Sequence, residues 1–316
     1  MKILYIDPVI NTPTSNNYQY YDGVYNELVK QHEVTLLRGI PDNIEKFLVL
    51  NNIHVDAVVF GLGWFNHKFF GLIKGLKIPS LCVLFKPQNN LKEKLNFCKI
   101  NNIDMILTPI PNFESIEKLT GIKTRLFPYG FDEKIFFDRK IEKKFDIGFS
   151  GALHENKHYP PGAFPVKNIR TKIGNILKSN NSLNTFWSSS DSYQARIPSY
   201  KEYSETINSS KVWIATQAAF GDITPRYYEV AASGTLLFCQ KVPKNYEHIF
   251  IDQYNCIQFD NDLENFEQKL IECLADDCKR QKIITNANIF FQNEFTWKKR
   301  AENMILYLEE IINENK

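Results

Sequence analysis

The 316-residue sequence lacks several features that define specialised classes of protein. Its formal net charge is only +2, whereas nucleic-acid-binding proteins carry clustered basic residues. No apolar run approaches the roughly 20 residues that span a bilayer, and the start, MKILYIDPVI, is too short and polar for a signal peptide. We therefore expect a soluble, cytoplasmic protein that binds no nucleic acid and contacts a membrane at most peripherally.

The cysteines form no recognisable motif. The six cysteines are scattered, no C-x-x-C pair occurs, and the spacing of Cys273 and Cys278 matches no zinc motif. This distribution favours free, mostly buried thiols in a reducing compartment. The sequence predicts neither a disulfide framework nor a metal site.

The composition is that of a globular protein, with 43% hydrophobic and 14% aromatic residues. Short β-branched or aromatic runs alternate with amphipathic stretches, which indicates βα units around parallel sheets. In the first half the predicted strands are 2–6, 33–37, 57–60, 80–85, 105–108 and 123–127, and the predicted helices are 20–31, 42–51, 67–76, 90–101 and 112–119. The sequence therefore predicts an α/β protein with a doubly wound first domain.

A second βα series begins at FDIGFSG, residues 145–151, after an aperiodic linker at 128–144. Further strands are predicted at 185–187, 212–216, 235–239 and 256–259, and a helix near Val166. The Pro-rich stretch 154–165 is too long for a plain connector and is interpreted as a functional loop. The predicted domains are 1–135 and 145–295, followed by an amphipathic helix at 296–316.

The segment 222–239, DITPRYYEVAASGTLLFC, is the most informative for function. Thr224 is a suitable N-cap, Pro225 suits the first helical position, and Gly234 is predicted to end the helix in a left-handed conformation. Such a helix start favours a phosphate, and Arg226 adds a guanidinium suited to bidentate phosphate contact. Glu229, three residues later, lies on the same face and suits a ribose hydroxyl pair, although an i, i+3 ion pair explains the two charges equally well.

RYYEVAASGTLLF resembles the C-terminal-domain signature of group 1 GT-B glycosyltransferases, especially the CgeB-like (spore-maturation) branch. The resemblance extends over about residues 145–312, through FDIGFSGAL, INSSKVWIATQ, YNCIQFDNDLENFEQKL and NEFTWKKRAENMILYLEEI. It implies two Rossmann-like domains facing a cleft, with an N-terminal acceptor domain and a C-terminal donor domain. The final helix would cross back to the N-terminal domain.

The resemblance also implies an activity. A sugar would pass from a nucleoside diphosphate, UDP or GDP, to a hydroxyl of a glycan, lipid or protein, with no cofactor and no metal. Glu229 takes the place of the second Glu of the family's E-x7-E motif, and Arg226 matches an Arg of the CgeB-like branch. The first Glu falls at Gly221, beside Asp222, so the acidic motif is incomplete.

Other segments of the sequence contain weaker candidates for the site. Ser150 and Gly151 end a strand, where small residues let backbone N–H groups approach a diphosphate, although an ordinary turn explains them as well. His154 is a candidate catalytic base and Arg170 a candidate phosphate ligand, although both residue types are common on plain surfaces. Asp7 ends the first strand, and the aromatics Tyr18, Tyr20, Tyr21 and Trp64 are candidates for acceptor contact.

Three alternative functions stay open at this stage. A sugar-nucleotide epimerase shares the architecture, but the segment around Gly221 is poor in carboxylates. A catalytically silent carbohydrate-binding or scaffold protein would explain the incomplete motif. A glycosyltransferase acting on DNA bases would need a basic groove that the charge does not indicate. The D-x-D at 260–262 is not interpreted as a metal site, because its context is a strand end followed by a helix that carries Glu264 and Glu267.

Overall fold

The computed structural model describes residues 1–7, 18–61, 71–85, 90–152, 166–189, 197–218 and 221–314, with backbone alone at 18–21 and 166–168. Contacts divide the chain into two units. Unit 1 comprises Met1–Gly130 and Trp297–Lys316, and unit 2 comprises Phe131–Thr296. Each unit contains one parallel sheet with its own core of Ile, Leu, Val and Phe side chains.

Unit 1 holds a six-stranded parallel sheet in the order β2-β1-β3-β4-β5-β6. Its strands are β1 (Lys2–Ile6), β2 (Glu33–Leu37), β3 (Ala57–Gly61), β4 (Ser80–Val83), β5 (Met105–Thr108) and β6 (Lys123–Leu126). Its first four helices are α1 (Tyr18–Gln31), α2 (Ile44–Leu50), α3 (Leu91–Ile100) and α4 (Phe113–Thr120). The predicted strands and these helices are confirmed to within a few residues.

One predicted helix of unit 1 is wrong. Residues 71–76, part of the helix expected at 67–76, are not helical, and 62–70 lie outside the described residues. The backbone N–H of Lys74 donates to Asp42 O at 2.9 Å, and that of Ile73 donates to Asn101 Oδ1 at 2.7 Å. Gly75 has φ +71°, which favours glycine and breaks a helix. The segment bonds to its neighbours and so cannot make its own helical ladder.

Unit 2 holds a five-stranded parallel sheet in the order β8-β7-β9-β10-β11. Its strands are β7 (Phe145–Gly151), β8 (Thr185–Ser189), β9 (Ser210–Ala215), β10 (Leu236–Gln240) and β11 (Ile257–Phe259). Its helices are α5 (Val166–Ser179), α6 (Tyr200–Asn208), α7 (Pro225–Ala231), α8 (Phe266–Ala275) and α9 (Asp277–Glu294). The second βα series is therefore also confirmed.

The segment predicted as a linker makes specific contacts with unit 2. The ring of Phe136 is buried and meets Tyr200 and Tyr203 edge to face, with centroids 6.5 and 6.0 Å away. Gln292 of α9 donates a hydrogen bond to Phe136 O at 2.9 Å. Residues 131–144 therefore form part of unit 2.

The last helix, α10 (Trp297–Glu314), packs on α1 in unit 1. Lys123 of β6 forms ion pairs with Glu310 and Glu314 of α10, at 2.5 and 2.6 Å. The indole of Trp297 is buried, and a methyl group on Gly23 or Gly130 would come within 2.3 or 2.7 Å of it. Both glycines are therefore needed where the ring meets the backbone of unit 1.

Two findings bear on the composition arguments. All six cysteines are free thiols, and four of them are buried. Within the part of the chain that the structure describes, no helix is both long and apolar enough to cross a membrane.

Candidate active site

The strand order of unit 2 places a crevice at the carboxyl ends of β7 and β9. The chain passes from β7 outward to β8 on one side and from β9 to β10 and β11 on the other. At such a reversal the connecting loops diverge, and α/β proteins bind ligands there. Gly151 ends β7 and Thr216 follows β9, so the loops after these two strands form the candidate site.

Arg170 ties these two loops together. Its Nη1 donates to Ala152 O at 2.8 Å, its Nε to Thr216 Oγ1 at 2.8 Å, and its Nη2 to Gln217 O at 3.3 Å. The residue is only 7% exposed. Arg170 thus braces the crevice, and its predicted contact with a phosphate stays a prediction.

Arg226 approaches the same point from the first turn of α7. Its Nε donates to the hydroxyl of Tyr203 on α6 at 3.1 Å, and its guanidinium carbon lies 6.0 Å from the centroid of the Phe149 ring. A methyl group built on Gly151 would lie 3.4 Å from Arg170 Nη1 and 3.5 Å from Arg226 Nη1. Two guanidinium groups therefore converge on the last residue of β7.

Glu229 belongs to the same cluster. It lies in the second turn of α7 and is 2% exposed. Burial raises the pKa of Tyr203 well above its usual range, the charge of Arg226 opposes this rise, and a hydrogen bond with Glu229 adds to it. The hydroxyl of Tyr203 thus contacts both Arg226 and Glu229, which lie on one face of α7 as predicted.

The start of α7 agrees only partly with prediction. Thr224 occupies the N-cap position with φ −86° and ψ 157°, and Pro225 begins the helix. The side chain of Thr224 makes no capping hydrogen bond, and its Oγ1 is buried without a partner among the described residues. The Thr224 hydroxyl therefore does not stabilise the helix start, and its predicted contact with a phosphate stays a prediction.

The prediction for Gly234 is wrong. Gly234 does not have a left-handed conformation, and α7 ends at Ala231 with Ala232 as a right-handed C-cap. Glycine is required there by close packing, because a Cβ on Gly234 would lie 2.2 Å from Asp138 Oδ1 and 3.2 Å from Asn208 Oδ1. The reason is tertiary, so local sequence could not supply it.

Gly221 and Asp222 stand where the sequence resemblance places the first Glu of the acidic motif. Gly221 has φ +78°, a conformation that a glutamate would adopt only with strain. Asp222 is 6% exposed, and burial raises its pKa to about 7. No described residue hydrogen-bonds its buried Oδ1. The loop thus carries one acid displaced by one position from the family's first Glu.

The structure does not test the roles predicted for several other residues. His154 and Trp64 lie outside the described residues, as do the side chains of Tyr18, Tyr20 and Tyr21. Ser150 is 7% exposed in β7. Asp7 directly follows β1, and its Oδ2 lies against Gly61, the last residue of β3, at the equivalent crevice of unit 1. The roles assigned to these residues stay predictions.

The D-x-D side chains stabilise the turn before α8. Asp262 accepts from the backbone N–H of Glu264 at 3.0 Å, Asn261 accepts from Gln240 at 2.8 Å, and Asp260 accepts from Asn265. In the described ranges, no three His, Cys, Asp or Glu side chains form a group that could hold a metal ion.

Residues 167–305 match the family model described as "Glycosyl transferase-like". The matched region contains Arg170, Tyr203, Asp222, Arg226 and Glu229. No curated protein sequence matches the chain significantly. Most residues that line the crevice of unit 2 therefore lie in a region whose sequence is similar to this family.

Solved structures match nearly the whole chain. Sucrose-phosphate synthase from Thermosynechococcus elongatus aligns with a TM-score of 0.64 at 12% identity, over 99% of this chain and 100% of that one. Anabaena HepE, in complex with UDP and glucose, aligns with a TM-score of 0.61 at 12% identity, over 98% and 99%. The chain has the GT-B fold. A glycosyltransferase from Rickettsia africae shows the same GT-B likeness, with a TM-score of 0.56 at 13% identity over 98% of both chains.

The GT-B fold confirms the predicted fold class, with two Rossmann-like sheets and a final helix that returns to unit 1. Sequence reasoning missed Tyr203, because it lies on α6, and nothing local to YKEYSETIN marks a tyrosine that contacts Arg226.

Proposed function

We propose that the protein is a glycosyltransferase that moves a sugar from a nucleoside diphosphate to a hydroxyl group of an acceptor. The convergence of Arg170 and Arg226 on Gly151 carries this proposal. It lies at the switch point of a sheet in a GT-B fold, and most of it falls within the glycosyltransferase-like region. Solved structures of HepE in complex with UDP and with UDP-glucose support a nucleotide sugar as the ligand class.

The chemistry uses this positive charge. The bond between the sugar carbon and the diphosphate oxygen breaks, and its electron pair leaves with the diphosphate. The acceptor oxygen forms the new glycosidic bond and gives its proton to a general base, a role for which His154 is the candidate that the sequence offers. Negative charge grows on the leaving group, so the guanidinium of Arg226 stabilises the transition state more than the ground state. Arg170 holds the loops that place Arg226.

Glu229 and Asp222 complete the site. A carboxylate close to a diphosphate is repelled by it, so we assign Glu229 to the ribose hydroxyls. Asp222 Oδ1 and Thr224 Oγ1, which have no hydrogen-bond partner among the described residues, lie on the loop that precedes Arg226, and we assign them to hydroxyls of the transferred sugar. The carboxyl group of Asp222, the guanidinium of Arg226 and the carboxylate of Glu229 thus follow one another along the chain, in the same order as the sugar, diphosphate and ribose of the donor.

Finer features of the proposal come from the sequence resemblance. They are a UDP- or GDP-hexose donor, transfer without a metal, and membership of the CgeB-like branch, which Arg226 supports. We assign acceptor binding to unit 1, whose sequence resembles the family least. The acceptor would be a hydroxyl of a glycan, lipid or protein.

Donor binding is tested first by thermal shift of the purified protein with UDP, GDP, TDP, ADP and CMP. A ligand at 100 times its Kd stabilises by about 2.7 kcal/mol. We expect one nucleoside diphosphate to raise the Tm. If none does, a silent carbohydrate-binding protein becomes the better explanation, and glycans are the next ligands to test.

Glu229→Ala should weaken binding of that nucleotide by about 1–3 kcal/mol, the contribution of a hydrogen bond to a charged group. Titration calorimetry measures the effect. Glu264→Ala, in the exposed turn before α8, is the matched control and should bind like wild type. Equal affinity in Glu229→Ala and wild type would refute the ribose assignment.

Arg226→Ala should raise the activation free energy of turnover by about 2 kcal/mol, because a hydrogen bond to a charged group is lost. Release of nucleotide from the donor identified by thermal shift measures turnover. A large fall in Tm with unchanged turnover would give Arg226 a purely structural role.

A further inference from the structure

Lys143 lies on the segment that leads into β7, and it bonds to two other parts of unit 2. Its ammonium donates to Asn208 O at 2.7 Å and to Thr235 Oγ1 at 3.3 Å, and it also donates to Gly234 O. Asn208 is the last residue of α6, and Gly234 and Thr235 form the turn between α7 and β10. One side chain thus joins the carboxyl ends of two helices.

These two helices carry the candidate site. Tyr203 is on α6, and Arg226 and Glu229 are on α7, where Tyr203 contacts both. We propose that Lys143 is a positioning residue for the nucleotide site, which fixes α6 against α7 at the ends opposite to those that bind the ligand. The inference rests on the function proposed above.

Neighbouring contacts show that this junction is specifically built. Asn208 Oδ1 accepts from the backbone N–H of Gly234 at 3.1 Å and from that of Arg139 at 3.0 Å. Thr235 Oγ1 donates to Ile207 O at 2.6 Å. Asn288 of α9 donates to Ala232 O at 2.7 Å. Side chains therefore bond to the carbonyls of Ala232, the C-cap of α7, and of Gly234 just after it, and the carboxyl end of a helix favours a cation such as Lys143.

The ammonium group of Lys143 loses its proton at a lower pH than an ordinary lysine. Burial lowers its pKa to about 8, although Asp138 opposes this and Arg280 and Lys140 add to it. Asp138 and Lys140 lie on its own segment and Arg280 on α9, whereas α6 and the turn before β10 present carbonyls and a hydroxyl. Above about pH 8 the side chain of Lys143 is a neutral amine with two N–H donors instead of three. Its hydrogen bonds to the ends of α6 and α7 therefore weaken.

The experiment compares wild type, Lys143→Met and the control Lys144→Met, an exposed lysine one residue away. Kd is measured by calorimetry at pH 7 and pH 9 for UDP, or for whichever of the five nucleotides stabilises the protein most. We expect Lys143→Met to bind about tenfold more weakly at pH 7, with no further change at pH 9. Wild type and Lys144→Met should bind equally well at pH 7, and both should bind more weakly at pH 9 than at pH 7.

A second measurement needs no nucleotide. Hydrogen exchange of the free proteins at pD 7 should show reduced protection of amides 227–235 in Lys143→Met, and unchanged protection of β10. A Lys143→Met protein that keeps wild-type Tm, exchange and affinity at both pH values would overturn the inference. If wild type binds no nucleotide, the proposed function fails, and the exchange experiment still decides whether Lys143 holds α7.

Discussion

Replacing Trp297 by alanine should lower the free energy of unfolding of unit 1 by about 3–5 kcal/mol, the usual effect of deleting a buried large aromatic side chain. The indole is 4% exposed, meets Phe85 edge to face with centroids 6.4 Å apart, and lies against Gly23 and Gly130. Without Cβ atoms, neither glycine can move a side chain into the space that the ring leaves. Urea unfolding followed by circular dichroism measures the loss.

Lys298→Ala is the control for this variant, because Lys298 is the adjacent exposed residue of α10. It should change the stability by less than about 0.5 kcal/mol, as surface substitutions do. A loss of under 1 kcal/mol in Trp297→Ala would show that burial of the indole contributes little to the stability of unit 1.

Asp222→Asn should remove a pH dependence of stability. Burial raises the pKa of Asp222 from 3.8 to about 7, so the folded protein holds a proton that the unfolded chain has released. Stability from this group is complete below about pH 4 and is lost as the pH rises through about 7. At about 1.4 kcal/mol per pKa unit, the loss approaches about 4 kcal/mol at pH 8.

Urea unfolding at pH 4.5, 6 and 8 tests this expectation. Wild type and Asp262→Asn, a substitution in an exposed turn of the same unit, should lose stability over this range, whereas Asp222→Asn should lose much less. Parallel curves for all three proteins would mean that Asp222 ionises freely in the folded state.

The regular elements were predictable because their signals are local. The run KILYI gave β1 and FDIGFSG gave β7, each with the observed bounds. Arg226 and Glu229 were found together because helical spacing places residues i and i+3 on one face. The failure at 71–76 has the opposite cause, since Asn101 and Asp42 supply hydrogen bonds from distant parts of the chain.

The rest of the candidate site depends on contacts that no local pattern encodes. Tyr203 and Lys143 act on α7 from other elements, and both resemble ordinary residues in their own segments. Arg170 was expected to face a phosphate, and the structure shows its donors shared with Ala152, Thr216 and Gln217. The acceptors of this guanidinium belong to loops whose positions are set by the tertiary structure, so the sequence alone could not identify them.

The way the chain returns to unit 1 has a consequence for biosynthesis. Unit 1 consists of residues 1–130 and 297–316, so all of unit 2 leaves the ribosome before Trp297 does. Domains generally fold as they emerge, so unit 2 should fold before the indole of Trp297 packs against Gly23 and Gly130 in unit 1. Helix α10, which is made after unit 2, then completes unit 1, and a nascent chain stalled before α10 would expose an unfinished core to proteases and chaperones.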